Sequence, residues 1–229
     1  MIQLLERNRY LKRIYFSRNE LEQILILSCF FSIAMVSFRV FYTRELLFIS
    51  LIWNLFLAYL PYAFSKWVFS NIQWIKNKWR LSFVFIPWLL FIPNSFYIIT
   101  DLFHLKETEV VPLWFDLALI FSFAWNGLLL GIASVRHIEK IMEQQFRLQL
   151  NLLFVYPIML LNAFGIYLGR YLRFNSWDVI TNPFGLTRDI FDLCFHPVHY
   201  RFDWSMIFCF SVLMTLLYST IKKISKAIS

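Results

Sequence analysis

Residues 81–104 read LSFVFIPWLLFIPNSFYIITDLFH, and this stretch decides the class of the chain. Its first part is apolar over the about 17–25 residues that a helix needs to cross the hydrocarbon of a bilayer. Polar side chains gather in its last part, at Asn94, Tyr97, Asp101 and His104. Their spacings of three, four and three residues put them on one side of a helix. The stretch therefore predicts a membrane-spanning helix that carries a polar stripe towards one face of the bilayer.

Composition extends this prediction to the whole chain. Hydrophobic residues make up 59% of the 229 residues, and the mean hydropathy is +0.59, whereas a soluble domain has about 45–50% apolar residues. Backbone groups in lipid must be hydrogen-bonded within their own segment, so helices are expected. The sequence predicts an all-α, polytopic transmembrane helix bundle that forms one integral membrane domain over 1–229. Its six predicted spans cover about 21–42, 46–64, 81–100, 113–135, 148–169 and 204–221.

The distribution of Lys and Arg orients these spans. The two tails and the second and fourth loops hold 15 of the 22 basic residues, and the other seven lie on the opposite side. Because cytoplasmic loops carry the excess of positive charge, both termini are predicted to be cytoplasmic. The basic start has no small-residue cleavage site after the first apolar run, so that run is predicted to be a retained anchor.

The net charge of +8 does not point to nucleic acid. The second loop, 65–80, interleaves Trp67, Trp74 and Trp79 with lysines. Basic and aromatic residues also alternate in proteins that bind single-stranded nucleic acid, but a loop between two spans is expected to lie on anionic lipid. Membrane lipids are therefore the predicted partners, and nucleic acid is not.

With this orientation, ionisable side chains gather at the outer ends of the third, fourth and fifth spans. They are Asp101, His104, Asp116, Arg170, Arg173 and Asp178. An ionisable group costs about 2.5–3.5 kcal/mol at the bilayer centre, so such groups face the bundle interior and pair. Asp116 lies about one turn inside its span, and Arg170, at similar depth, is its predicted partner, because a guanidinium binds a carboxylate through two hydrogen bonds.

Two interpretations of these outer groups stay open. In one, ion pairs tie the outer ends of three helices together. In the other, the groups form a ligand or reaction site, which is the default interpretation of ionisable groups at membrane depth. The catalytic candidates, as general acid, general base or proton shuttle, are then Asp101, His104 and Asp116. The ligand-binding candidates are Asn94, Tyr97, Arg170, Arg173, Asn175 and Asp178.

Small residues and proline indicate how the helices pack. Gly127 with Gly131, and Gly165 with Gly169, are pairs that allow close helix approach. The topology places the first pair in the inner half of the bilayer and the second in the outer half, so each pair is expected to need a different partner. A homo-oligomer through one of these seams is an open alternative. Pro87 and Pro93 both lie in the third span. Two interpretations stay open: a kink beside the polar stripe, or prolines that neighbouring helices accommodate.

No metal or cofactor is predicted. His196 and His199 flank Pro197, which argues against a helix there. A zinc site that they would share with His104 and a carboxylate matches no strong metal motif. The three cysteines have no paired spacing, so no disulfide framework is predicted. The sequence contains no P-loop, dinucleotide-binding or HExxH pattern.

Several longer motifs resemble a known family. The resemblance is carried by IWNLFLAYLP at 52–61, WLLFIPNSFYIITDLFHL at 88–105, PLWFD at 112–116, SFAWNG at 122–127 and GRYLRFNSWD at 169–178. From about 46 to 183, the chain resembles the bacterial membrane protein family called domain of unknown function 1361. The resemblance implies a multi-pass protein of the bacterial cytoplasmic membrane and carries over no activity.

Three functions therefore stay open. The first is an enzyme that acts at the outer leaflet on a lipid-linked or envelope substrate. The second is a transporter or channel, although the residues that would line its path also form ordinary interhelical hydrogen bonds. These residues are Asn54, Asn126, Asn151 and Asn162. The third is a non-catalytic subunit of a membrane complex, with the outer loop 175–203 as its docking surface.

Overall fold

The computed structural model describes residues 2–71, 78–105, 110–146 and 152–228, and all regular structure within these ranges is helical. The all-α prediction is confirmed for this part of the chain. In chain order the elements are α1 (Ile2–Thr43), α2 (Ser50–Ser70), α3 (Lys78–Phe91), α4 (Pro93–Tyr97), a 3-10 segment (Ile98–His104), α5 (Leu113–Phe146), α6 (Leu152–Arg170), α7 (Asp178–Thr181), α8 (Pro183–Phe195) and α9 (Arg201–Ile228). Trp74, Asn151 and the first residues of the fifth predicted span lie outside the described ranges.

Within the described residues, four stretches of helix are long and apolar enough to cross a membrane. They are Glu20–Thr43, Ser82–His104, Leu113–Gln144 and Arg201–Ser225, and they correspond to the first, third, fourth and sixth predicted spans. The second and fifth predicted spans correspond to α2 and to α6, whose apolar part is shorter. The fold thus contains several apolar helices of membrane length, whereas the count of six spans stays a prediction.

The third predicted span does not continue as one α-helix. α3 ends at Phe91 and α4 starts at Pro93, because proline lacks a backbone N–H and favours the first turn of a helix. After Tyr97 the chain tightens into the 3-10 segment. A 3-10 helix has about three residues per turn, so Asp101 and His104 follow each other along one edge. The predicted α-helical stripe is therefore wrong in its helix type beyond Tyr97.

α4 is wedged between α5 and α6, and the two glycine pairs make this possible. A Cβ on Gly127 of α5 would lie 2.5 Å from the carbonyl oxygen of Ser95, and one on Gly165 of α6 would lie 2.6 Å from Cγ of Pro93. Both pairs pack against the same short helix, so the prediction of a different partner for each pair is wrong. Because these glycines face α4 within the chain, they give no support to the alternative of a homo-oligomer.

Two apolar clusters form the core, and the segment that carries the polar stripe contributes to both. Phe96 of α4 packs in the larger cluster, with Trp88 of α3 and Met159 of α6. Ile98 of the 3-10 segment packs in the smaller one, with Leu51 of α2. Fully buried side chains on opposite sides of a short segment fix its rotation, since protein interiors are close-packed. The polar residues between and after them are thereby held in place.

Candidate functional site

Arg170, at the end of α6, is the centre of a polar cluster at one end of the bundle. Its Nη1 donates to Oδ1 of Asp101 at 3.0 Å and to the hydroxyl of Tyr97 at 3.3 Å, and its Nη2 donates to the carbonyl oxygen of Thr100 at 2.7 Å. The guanidinium carbon also lies 5.7 Å from the ring centroids of both Tyr97 and Phe103, a distance at which an aromatic face attracts a cation. One arginine thus binds α6 to the segment that follows α4.

Asp101 has a partner on each carboxylate oxygen. Its Oδ1 accepts from Arg170, and its Oδ2 accepts from Nδ2 of Asn54 in α2 at 3.2 Å. The residue is 6% exposed, and a carboxylate in such a position needs these donors because an uncompensated buried charge is costly. Three elements, α2, the 3-10 segment and α6, therefore meet at one ion pair. The residues Asn54, Tyr97, Asp101 and Arg170 are called the Asp101 centre below.

The Asp101 centre is not sealed from its surroundings. The side chains of Arg170 and Asp101 are 12% and 9% exposed. His104, one 3-10 turn beyond Asp101, is exposed. A carboxylate and an imidazole at a partly open edge are groups that can exchange a proton with a ligand.

Asp116 does not belong to this centre, and the predicted pair of Asp116 with Arg170 is wrong. The Asp116 carboxylate accepts two hydrogen bonds from Arg39 of α1, at 2.7 and 3.1 Å. The side chains of this pair are 1% and 3% exposed, and the guanidinium lies 5.0 Å from the ring centroid of Phe48. Arg39 falls within the first predicted span, where a cation needs a buried acid. That depth is a sequence signal that Arg39 needs an acidic partner, but it does not say which acid the partner is.

Asn94 joins the break between α3 and α4 to the connection after α6. Its Nδ2 donates to the carbonyl oxygen of Phe91 at 2.9 Å and to Oγ of Ser176 at 3.0 Å. Ser176 in turn donates to the carbonyl oxygen of Leu90 at 3.0 Å. Carbonyl groups at a helix break need such donors. Asn94 therefore stabilises the backbone at the break between α3 and α4, beside the Asp101 centre, rather than forming part of that centre.

Asp178 and Asn175 form a turn at the start of α7. The Asp178 carboxylate accepts from the backbone N–H of Asn175 at 2.6 Å and from the hydroxyl of Thr181 at 2.7 Å. These donors, the backbone N–H first, hold the pKa of Asp178 below its ordinary value. Arg173 is exposed, with a positive φ of 61°. In the described part of the chain, the hydrogen bonds of the Asp101 centre do not involve these three predicted ligand-binding residues.

A third buried carboxylate, which the sequence did not predict as a site residue, lies towards the other end of α5. Glu139 is fully buried and accepts from the hydroxyl of Tyr218 at 2.6 Å and from Nζ of Lys222 at 2.5 Å. Arg136, one turn earlier, also donates to it. Two of these donors belong to α9, so the carboxylate ties α9 to α5. The predicted fourth span ends at 135, whereas α5 continues to Phe146. Glu139 therefore lies outside the predicted span although it is part of the same helix.

Two asparagines of the spans donate to neighbouring elements. Nδ2 of Asn126 donates to Oγ of Ser32 in α1 at 2.9 Å, just as Asn54 donates to Asp101. These two contacts are the interhelical hydrogen bonds that polar residues commonly form between membrane helices. Asn162 is fully buried and donates to Sδ of Met159 in its own helix at 4.0 Å, and its Oδ1 has no hydrogen-bond partner among the described residues.

The histidines outside the Asp101 centre have no metal-binding arrangement around them. His196 and His199 are exposed, and Nδ1 of His196 lies 2.9 Å from the carboxylate of Asp192. Among the residues that the structure describes, no group of three His, Cys, Asp or Glu side chains is placed to hold a metal ion.

Fold and site together define an all-helical protein with apolar helices of membrane length and a partly open ion pair at one end of the bundle. Residues 53–217 match the family described as a protein of unknown function (DUF1361), and the chain belongs to that family. The match confirms the resemblance, leaves α1 outside, and extends past 183 into α9. No curated protein and no solved structure matches the chain.

Proposed function

We propose that this protein is a multi-pass protein of the bacterial cytoplasmic membrane, with both termini in the cytoplasm and a ligand or reaction site at the Asp101 centre on the extracytoplasmic face. The four apolar helices of membrane length support the location. The excess of Lys and Arg in the tails and in the second and fourth loops supports the orientation.

The observation that carries the site is the contrast between the two arginine–aspartate pairs. The side chains of Arg39 and Asp116 are 1% and 3% exposed, whereas those of Arg170 and Asp101 are 12% and 9% exposed. The first pair is sealed and ties α1 to α5. The second opens beside the exposed His104, which supports contact with a ligand.

The substrate class follows from the position of the centre. It lies at the end of the apolar stretch Ser82–His104, so a headgroup at the membrane surface would reach it while its chain stays in lipid. An arginine has five N–H donors, and the three hydrogen bonds of Arg170 within the chain leave donors for a phosphate or carboxylate. Asp101 and His104 would accept or donate the proton. A lipid-linked or envelope substrate fits this arrangement.

The test compares ligand retention with folding. The wild-type protein, His104→Ala and the control His199→Ala would be purified from bacterial membranes in mild detergent, and native mass spectrometry would report the lipids that remain bound. His104 and His199 are both exposed, so neither substitution is expected to change the thermal unfolding midpoint. His104→Ala is expected to lower the occupancy of a bound species about tenfold, because a hydrogen bond to a charged group contributes about 1.5–3 kcal/mol.

Two results would contradict the proposal. One is that all three proteins retain the same species to the same extent. The other is that the wild-type protein retains none when the membranes are rich in phospholipid and lipid-linked precursors. In both cases the Asp101 centre would have the purely structural role of tying α2 and α6 to the 3-10 segment.

A further inference from the structure

α8 is a two-sided helix that lies outside the helices of membrane length. It reads PFGLTRDIFDLCF from Pro183 to Phe195, and Oδ1 of Asn182 caps its start by accepting from the N–H of Gly185 at 3.2 Å. A side-chain cap and a proline at the first position are ordinary N-terminal signals. The sequence therefore specifies a short helix here rather than an irregular loop.

One side of α8 is fixed to the bundle. Leu193 is 1% exposed and belongs to the larger apolar cluster. Its carbonyl oxygen accepts from Nε1 of Trp204 at 3.1 Å, and Trp204 is in the first turn of α9. α8 therefore lies at the same level of the bundle as the start of α9.

The opposite side of α8 carries three phenylalanines that nothing in the described chain covers. Phe184, Phe191 and Phe195 are 89%, 55% and 72% exposed. At about 100° of rotation per residue they fall within about 40° of one another, directly opposite Leu193. Leaving such a side chain in water rather than burying it is unfavourable, because the hydrophobic effect scales with the apolar area that water contacts. A stripe of this kind marks a surface that is covered in the working protein.

We propose that this phenylalanine stripe lies in the lipid interface of the outer leaflet, with α8 parallel to the membrane surface. The inference rests on the membrane placement of α9 given under the proposed function. Arg201 starts α9 a few residues beyond α8, and the first turns of α9 also carry exposed phenylalanines, Phe202 at 75% and Phe208 at 48% exposed. Lipid that surrounds the first turns of α9 would therefore also contact α8.

The chemistry of α8 fits a lipid surface. An interfacial helix buries its apolar face about 5–10 Å into the boundary between headgroups and acyl chains. Arg188 is exposed within the stripe, about 40° from Phe184 by helix geometry, and a long basic side chain there can reach a lipid phosphate while its stem stays in the apolar layer. Phe191 and Phe195 stack with centroids 5.7 Å apart, which gives one continuous apolar face.

The experiment measures the depth of single labels in vesicles. In full-length protein with Cys29→Ser, Cys194→Ser and Cys209→Ser, an environment-sensitive fluorophore would be attached through Phe191→Cys, Asp192→Cys or Phe208→Cys. Each protein would be reconstituted in phosphatidylcholine vesicles, with nitroxide-labelled lipid as one quencher and a water-soluble nickel chelate as the other. Asp192 is the matched control because it neighbours Phe191 on another side of the same helix and is exposed.

The label at Phe191→Cys is expected to lose at least half its emission to the nitroxide lipid and little to the nickel chelate, and the label at Asp192→Cys is expected to show the reverse. Quenching of Phe191→Cys by the chelate alone overturns the proposal. Protection from both quenchers also overturns it, because protein, either a second copy or another chain, would then cover the stripe. If the lipid quencher does not reach Phe208→Cys, the membrane placement of α9 fails, and the proposed function fails with it.

Discussion

Two arginines organise the polar contacts between the helices of this protein. Arg39 and Arg170 each bind one aspartate, but the first pair is sealed and the second is partly open. A guanidinium keeps its charge in both environments, so each needs a carboxylate in hydrogen-bond geometry. This difference in exposure is the reason for proposing that the second pair, and not the first, contacts a ligand.

This pairing predicts which substitutions are coupled. Asp116→Asn and Arg39→Gln are each expected to lower the free energy of unfolding by about 3–5 kcal/mol, because each leaves a buried charge unpaired. The double variant is expected to be less destabilised than the sum of the two, by at least about 1 kcal/mol. Thermal or denaturant unfolding in detergent measures the cycle.

The control cycle combines Asp116→Asn with Arg170→Gln. Its coupling energy is expected to stay within about 0.5 kcal/mol of zero, as for residues that share no partner. A large coupling between Asp116 and Arg170 would contradict the assignment of separate pairs.

At the scale of elements, neighbouring helices form a row of polar contacts along a single face of α2. Ser95 of α4 donates to the carbonyl oxygen of Ala58 at 2.9 Å, and Ser134 of α5 donates to that of Pro61 at 2.9 Å. Asn54, one turn before Ala58, reaches the Asp101 centre. Such contacts between membrane helices contribute about 0.6 kcal/mol on average, and their alignment fixes the rotation of α2.

Among the residues that contact this face of α2, Ser134 of α5 is the one whose substitution is expected to lower the free energy of unfolding most. Its Oγ accepts from Nε1 of Trp88 at 2.8 Å in addition to its bond to Pro61, and Trp88 is fully buried. Ser134→Ala leaves that indole N–H unpaired, so a loss of about 1–2 kcal/mol of unfolding free energy is expected. Ser122→Ala is the matched control, since the hydrogen bond of Ser122 within the described residues goes to the carbonyl of Leu119 in its own helix. Equal unfolding midpoints for the two variants would contradict the role of Ser134.

The close packing of α4 between α5 and α6 leads to a second prediction at the scale of elements. Gly127→Ala places a methyl group 2.5 Å from a backbone oxygen of Ser95, which α4 cannot move without losing its packing. A loss of about 1–3 kcal/mol is expected from such overpacking. Gly169→Ala has a ring carbon of Tyr97 at 3.3 Å as its nearest contact and is expected to cost less. The reverse order of the two midpoints would rule out the wedge as the reason for the glycines.

At the scale of the whole molecule, the proposed topology places α8 and the Asp101 centre on the extracytoplasmic face and the two tails in the cytoplasm. Val198, just after α8, is 83% exposed, and Gln144 near the end of α5 is exposed as well. In a cysteine-free background, Val198→Cys is expected to react with a membrane-impermeant maleimide in intact cells. Gln144→Cys is expected to react only after permeabilisation. The opposite pattern would invert the topology and with it the proposed location of the site.

Particular residues show which features of the candidate site can be predicted from the sequence alone. The spacing of Tyr97 and Asp101 correctly placed both on the edge that meets Arg170, because short-range helix periodicity is local. The partner of Asp116 was assigned wrongly, because depth along a span says how far a residue is from the membrane surface and nothing of which helix is its neighbour. From the sequence, Asn54 is predicted only to line a possible transport path. Its contact with Asp101 is not predicted, because the two residues lie 47 positions apart in the chain and in different helices.

The sequence by itself determined the all-helical class, the long apolar segments and the family, because apolar length, backbone hydrogen bonding and short motifs are properties of consecutive residues. Only the tertiary structure decided which arginine binds which aspartate, that both glycine pairs close on α4, and that the phenylalanines of α8 stay uncovered within the described chain. These outcomes depend on which helix faces lie side by side. That choice is made by packing among residues far apart along the chain, where close-packed shapes fit in only a few ways.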